Sequence, residues 1–158
     1  MRSVDVCLTH QDFDNYDHKG KIVVVIDVLR ATSTINTLLF LGADHVRPIG
    51  SLEECKSLKD HDYIIMAERL GKKVEGFDYG NSPTKLTEKD IKGKKVAIAT
   101  SNGSKAIIKS EGSEMTILCS FLNIESVINR IKKSESDVIL LCSCLLYTSD
   151  AADDSLRV

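Results

Sequence analysis

Residues that break regular structure are few: two prolines and nine glycines in 158 residues, too few for a collagen-like or low-complexity chain. There is no excess charge of either sign, 21 Lys and Arg standing against 23 Asp and Glu for a net −2. Setting aside residues 145–158 balances the two signs, so charge offers no basis for holding nucleic acid or an anionic membrane. No run approaches the ~20 apolar residues that cross a bilayer. The start, Met1-Arg2-Ser3-Val4-Asp5, lacks the apolar stretch of a secretory signal. The five cysteines, Cys7, Cys55, Cys119, Cys142 and Cys144, are odd in number and several lie in apolar runs, the pattern of buried free thiols in a reducing, cytoplasmic setting. Familiar chemistry is missing too: no Walker-type phosphate loop, no G-x-G-x-x-G, no nucleophile-elbow serine and no H-E-x-x-H. His10, His18, His45 and His61 show no ligand spacing, and Cys142-Ser143-Cys144 has no second cysteine pair to complete a zinc site.

What is present is an alternation. Ile22-Val23-Val24-Val25-Ile26 is an unbroken β-branched run, the mark of a strand covered on both faces, and residues 32–41 follow with apolar side chains at helical spacing. Gly42 is placed to close that helix, residues 45–49 read as a strand, and Ser51-Leu52-Glu53-Glu54 has the capping-box pattern that opens another helix. Residues 63–67 form the next expected strand, and 71–83, with Gly, Asn and Pro, a loop. Then come a strand over 95–99, a short helix over 104–110, a strand over 115–119, a helix over 124–132 and a strand over 138–142. Such an order predicts an α/β fold, a three-layer α/β/α sandwich around a largely parallel or mixed sheet. One domain is expected over residues 1–144, without internal repeat or linker. A strand ending at Cys142 calls for another helix, whereas residues 145–158 match no such element. The domain is therefore expected to be incomplete at its C-terminal end.

In open α/β sheets ligands bind beyond the carboxyl ends of the strands. That edge carries Asp27 and Arg30, Glu68, Thr100-Ser101-Asn102-Gly103-Ser104, and Ser120 with Asn123. Asp27 follows five apolar residues and must meet a cation, pair with Arg30 or cap the next helix. Glu68 at the same edge permits a hard divalent cation held by carboxylates, water and substrate phosphate, with Asp78 as a third acid reached through the loop. Residues 100–104 lie between a strand and a helix, where backbone N–H groups favour an anion, the alternative being an ordinary Asn or Ser cap. Arg30-Ala31-Thr32-Ser33-Thr34 offers a second such helix start, with a guanidinium suited to oxyanions. Asp27-Val28-Leu29 lacks the second acid of haloacid-dehalogenase phosphatases.

Four segments in matching order and spacing together resemble one family, the Mg²⁺-dependent 2-phosphosulfolactate phosphatases of coenzyme M biosynthesis. They are Val25-Ile26-Asp27-Val28-Leu29-Arg30-Ala31-Thr32-Ser33-Thr34, Gly76-Phe77-Asp78-Tyr79-Gly80-Asn81-Ser82-Pro83, Thr100-Ser101-Asn102-Gly103-Ser104 and Ser120-Phe121-Leu122-Asn123. The resemblance runs from about Val4 to Cys142. It implies hydrolysis of a phosphate ester on a sulfonated hydroxy acid, releasing sulfolactate and phosphate, on an α/β fold. Ala67-Glu68-Arg69 stands where the family often has Gly-Glu, and Ser101 and Ser104 replace common threonines. Both changes keep the polar group types. The family continues past the position of Cys142, while residues 145–158 resemble a translated sequencing adapter.

The expected protein is thus a Mg²⁺-dependent phosphatase whose partner is a small phosphorylated sulfonate, with homo-oligomerisation left open. Asp27 and Arg30 are its catalytic candidates. Asp27, Glu68 and Asp78 are the metal candidates. Thr32, Ser33, Asn81, Ser82, Ser101, Asn102, Gly103, Ser104 and Asn123 are the candidates for substrate binding. Whether Asp27 attacks phosphorus or only holds metal stays open. The alternatives are a binding module for an anionic metabolite and an inactive fragment.

Overall fold

The computed structural model describes residues 2–69 and 71–143. Cys144 and the tail over 145–158 lie outside the described residues, and with them the readings made there. Strands β1 (Val4–Cys7), β2 (Ile22–Ile26), β7 (Met115–Cys119) and β8 (Val138–Cys142) form one sheet in the order β1-β8-β2-β7, every pair parallel. A second sheet, ordered β3-β6-β4-β5, holds β3 (His45–Pro48), β6 (Lys95–Ala99) and β4 (Tyr63–Arg69) in parallel, with β5 (Lys72–Lys73) antiparallel at its edge. The α/β class and the mixed pairing are as expected. The division into two sheets is not, because strand periodicity says which residues face a core but not which strand lies beside which.

Two crossovers tie the sheets together. Helix α1 (Ala31–Phe40) carries the chain from β2 to β3, and α4 (Gly103–Lys109) carries it back from β6 to β7. Helix α1 sets Ile35 and Leu38 against Met66, Val96 and Ile98 of the second sheet, in a cluster that also takes in Ile107 of α4 and Leu118 of β7. Ala106 of α4 packs with Val23, Val25, Ile139 and Leu141 on one face of the first sheet. Helix α5 (Ile124–Lys132) covers the other face, Val127 joining Ile22, Val24 and Val138. Helix α2 (Leu52–Ser57) covers the far face of the second sheet through Cys55, against Ile65, Ala67 and Ala97. Strand β2 is thus buried on both faces, as its β-branched run requires.

Local signals set the element ends. Gly42, at φ +85°, takes the left-handed position after α1 that side chains disfavour. From there its N–H donates to the Leu39 carbonyl at 3.1 Å and the Ala43 N–H to the Leu38 carbonyl at 3.0 Å, closing α1 in a Schellman turn. The Ser51 hydroxyl accepts the Glu54 N–H at 3.1 Å and starts α2. The expected loop over 71–83 contains β5, and its Tyr79 bridges in parallel to Met66 beside β4. A four-residue helix, α3 (Glu88–Ile91), is too short to show periodicity in sequence. Cys7, Cys55 and Cys119 are buried free thiols and Cys142 is a half-buried one.

Since Leu38 lies in the cluster between the sheets, Leu38→Ala should cost about 2–5 kcal/mol of stability. Phe40→Ser on the same helix, at a side chain 89 % exposed, should change it by no more than about 0.5 kcal/mol. Urea denaturation of both variants checks the contrast.

Candidate active site

The carboxyl ends of β2 and β4 belong to different sheets, yet the starts of α1 and α4 bring them to one rim. Gly103 is where the two helices touch. A Cβ there would lie 2.3 Å from the Ala31 Cβ and 2.7 Å from Oδ2 of Asp27, well inside any tolerable contact. Asp27 follows β2 and is only 6 % exposed. Its carboxylate accepts the backbone N–H groups of Ala31 and Arg30. Burial, with the nearby Glu68 charge, pushes it up to about 6 against the pull of the two amides and the Arg30 charge.

Of the alternatives open to Asp27, the ion pair with Arg30 is not formed. The Arg30 guanidinium instead donates to Oε2 of Glu68 at 2.7 Å, with both side chains largely covered. Oε1 of Glu68 accepts the Gly71 N–H at 2.9 Å. At the start of α1 the chain's own Asp27 meets the helix end, its carbonyl accepting the Thr32 N–H at 3.0 Å.

Several expected substrate-binding groups are engaged within the chain. The buried Thr32 hydroxyl lies 2.7 Å from the carbonyls of both Asp27 and Cys119 and accepts the Asp27 N–H at 3.2 Å. Ser33 donates to the Val28 carbonyl at 2.7 Å. Ser104 donates to the Ile98 carbonyl and accepts the Thr100 N–H, both at 3.0 Å. Asn123 accepts the Ser120 N–H at 2.9 Å and donates to the Leu118 carbonyl at 2.8 Å, and it lines a separate cavity beside Asn36 and Phe40. Asn102 holds the cap position of α4 without a side-chain cap bond, so the ordinary-cap alternative does not describe it. Ser101 and Asn102 are half-buried on the rim.

A cleft of about 450 Å³ opens next to the Arg30–Glu68 pair and takes in Asn81, Ser82 and Asp78. The segment carrying them is fixed along β4: the Tyr79 N–H donates to the Ile65 carbonyl at 3.4 Å and the Ala67 N–H to the Tyr79 carbonyl at 3.1 Å. Asp78 is spent on that edge. One carboxylate oxygen accepts the Ile65 N–H and the other meets Lys59, both at 3.0 Å. Asn81 is 4 % exposed, and its Oδ1 is a buried acceptor with no partner among the described residues. No group of three or more His, Cys, Asp and Glu side chains is gathered for a metal among the described residues.

The sequence model of a family described as 2-phosphosulpholactate phosphatase matches residues 7–153. The chain belongs to this family. It is 41 % identical over 139 residues to a protein of Caldanaerobacter subterraneus named "Probable 2-phosphosulfolactate phosphatase", covering 85 % of this chain and 58 % of that protein. A Clostridium acetobutylicum protein of the same name is 40 % identical over 141 residues, covering 87 % and 60 %. A third, from Thermotoga maritima, is 42 % identical over 123 residues, covering 78 % and 53 %. The chain thus spans between half and three fifths of the length of these relatives.

The segments that carry the family resemblance have distinct tasks here. The first supplies Asp27 and Arg30. Its hydroxyls join β2 to α1 and β7. The Gly80-Asn81-Ser82 segment forms one wall of the cleft, with Gly80 packed so closely that a Cβ would lie 3.2 Å from Cβ of Lys73. Two further residues in that wall, Lys73 and Lys85, escaped the sequence reading. Lys73 stands opposite Glu68 across the β4–β5 pair, and a recognised hairpin after β4 would have exposed it.

Two expectations follow from the Asp27 pocket. Gly103→Ala should destabilise the fold by about 1–3 kcal/mol through overpacking, read as a lowered melting temperature. Asp27 titrates higher folded than unfolded, so the folded chain binds the extra proton and its stability falls as pH rises from about 4 to about 6. In buffer without divalent cations Asp27→Asn should therefore be the more stable form at pH 7.5, by on the order of 2–3 kcal/mol, with the gap closing below pH ~4. Urea titrations across that range check it, and an equal gap at every pH would contradict it.

Proposed function

We propose that this chain carries the catalytic rim of a Mg²⁺-dependent phosphoric monoester hydrolase that converts 2-phospho-3-sulfolactate into 3-sulfolactate and phosphate. The observation that carries the reading is a buried Asp27 carboxylate close enough to feel the charges of Glu68 and Arg30, two residues that pair with each other and line a cleft. The names of the relatives support the substrate class.

The residues fit a hard cation. Asp27 is a buried carboxylate whose neighbouring guanidinium is committed to Glu68, and Oδ1 of Asn81 is an orphaned oxygen in the adjoining wall. Two carboxylates are enough, because Mg²⁺ keeps several waters and takes substrate phosphate to complete its shell. In this reading Asp27 and Glu68 hold the ion. Bound there, it would neutralise phosphate charge and acidify water.

The chain's own groups do the remaining work. Arg30 faces the cleft with a planar fork suited to phosphate oxygens, and its bond to Glu68 holds it in place before substrate arrives. The amides of Ala31 and Arg30 fix the Asp27 carboxylate. Ser82, Ser101 and Asn102 add polar groups for the ester's oxygens. In the reaction the ester P–O bond breaks, a new P–O bond forms to water, and the water proton ends on the departing sulfolactate hydroxyl. Phosphate monoesters are among the slowest substrates to hydrolyse unaided, so fixed donors and a cation must act together.

Phosphate release from 2-phospho-3-sulfolactate with Mg²⁺ tests the reading. Asp27→Asn should lower turnover by about a thousandfold or more, at least the loss seen when one fixed electrostatic donor is removed. A chelator should abolish release and added Mg²⁺ restore it. Turnover that survives in Asp27→Asn would remove Asp27 from the mechanism. Saturable binding of the ester with no release in the wild type would identify a binding module instead.

A further inference from the structure

We propose that the open strip of the first sheet, where β1 turns Val4, Val6 and Leu8 to solvent, is the seat of one amphipathic helix, supplied by the polypeptide that the longer relatives carry outside the stretch this chain matches. The inference concerns how the sheet is covered and does not use the phosphatase reading.

Register puts these side chains on one surface. Val4 stands beside Val138 and Val6 beside Leu140 of β8, and these pair in turn with Ile22 and Val24 of β2. Ile22, Val24 and Val138 are buried in one cluster with Val127 of α5. On β1 the same surface is left open, with Val4 55 %, Val6 49 % and Leu8 65 % exposed. The alternate residue Cys7 is fully buried on the opposite face, in a cluster with Phe13 and with Ala106 of α4. Strand β1 thus carries apolar residues on both faces, as a strand covered on both sides does, and has a cover on only one.

The shape of the strip decides what fits it. At the edge of β1 the Tyr16 hydroxyl donates to the Val6 carbonyl at 3.0 Å, a bond that an added strand would have to displace. Strands lie about 4.8 Å apart and a helix with its side chains is about 10 Å across, so one helix covers about two strands. Four strands need two helices on a face, and α5 is one of them. It is not free to serve for both, because Arg2 donates to the carbonyls of Ile131 and Ser134 at 2.7 and 2.9 Å and holds the end of α5 in place. A second copy of the chain is a poor occupant. The half-exposed side chains offer on the order of 200 Å² of apolar surface, against about 800 Å² per partner in a stable dimer.

The connection favours the same occupant. A chain that continues from a strand inside a parallel sheet crosses back over one of its faces. Beside β8 one face is taken by α4 and the other by α5, so the open course is the strip over β1. The Caldanaerobacter and Clostridium acetobutylicum relatives are matched over 58 % and 60 % of their lengths. About two fifths of each lies outside the match, ample for a helix of three or four turns.

The test compares the 158-residue chain with a chimera in which residues 1–143 run on into the part of the Caldanaerobacter relative that follows its matched region. Val4→Cys, Val6→Cys and, as a reference on α3, Glu88→Cys are made in both, and maleimide labelling at each site is timed by peptide mass analysis. In the 158-residue chain the two β1 sites should label at rates close to the reference. In the chimera they should be slowed about tenfold or more relative to it, and the chimera should melt at a higher temperature. Equal labelling in the two proteins, or a chimera that melts no higher than the 158-residue chain, overturns the proposal. So does protection of the β1 sites already present in the 158-residue chain, which, where it grows with concentration, assigns the face to a second copy instead.

Discussion

The contact between Gly103 and Ala31 sets the geometry of everything at the rim. It joins the starts of two crossover helices that run in opposite directions between the sheets. At that distance neither residue could be larger, and the space left beside them is just what the Asp27 carboxylate occupies. Two sheets with separate cores could otherwise vary in their relative placement. Here the cluster of Ile35, Leu38, Met66, Ile98, Ile107 and Leu118 fills the space between them, and the helix contact closes its rim. Asp27 of one sheet and Glu68 of the other then fall close enough for each to feel the other's charge.

That proximity explains the distribution of charges. Two carboxylates near one another in a covered site repel, and one guanidinium cannot neutralise both. Arg30 bonds Glu68, and the backbone amides and the Arg30 charge together lower the pKa of Asp27 less than burial raises it. The result is a carboxylate held charged at neutral pH against its own solvation, an unfavourable arrangement for folding alone. Groups of this kind persist where a ligand or ion completes them. The orphaned oxygen of Asn81 in the neighbouring wall points the same way. Two incomplete groups of separate origin in sequence, Asp27 beside the Arg30–Glu68 pair and Asn81 in the wall of the cleft that this pair lines, are better accounted for by a binding site than by two independent defects of packing.

Local order was readable from the sequence because local causes fix it. The β-branched run of β2, Gly42 after α1 and Ser51 before α2 each have a physical reason that depends only on near neighbours, and each holds in the structure. The rule that sites lie beyond strand ends also singled out Asp27, Arg30 and Glu68, which the fold places near one another. Pairing across the fold was not readable in the same way. Arg30 and Glu68 are 38 residues apart, and nothing in either segment says that they bond to each other rather than Arg30 to Asp27. The same limit applies to Thr32, Ser33, Ser104 and Asn123. A hydroxyl or amide at a strand end looks alike in sequence whether it faces a ligand or holds its own loop together.

Interdependence of the sheets has a consequence for how the site must respond to damage. A rim assembled from one sheet would tolerate disturbance of the other, whereas here Asp27 follows a strand of one sheet and Glu68 lies on a strand of the other. Loosening that core should shift Glu68 relative to Asp27 before it unfolds either sheet, since each sheet has a second cluster on its outer face, under α2 or under α5. Substitutions between the sheets should therefore weaken the site out of proportion to their effect on strand content. Those on the outer faces should do the reverse. The placement of the hydroxyls of Thr32 and Ser104 fits this division: each binds a strand end to the first turn of a crossover helix, at the level where small displacements would separate the charges.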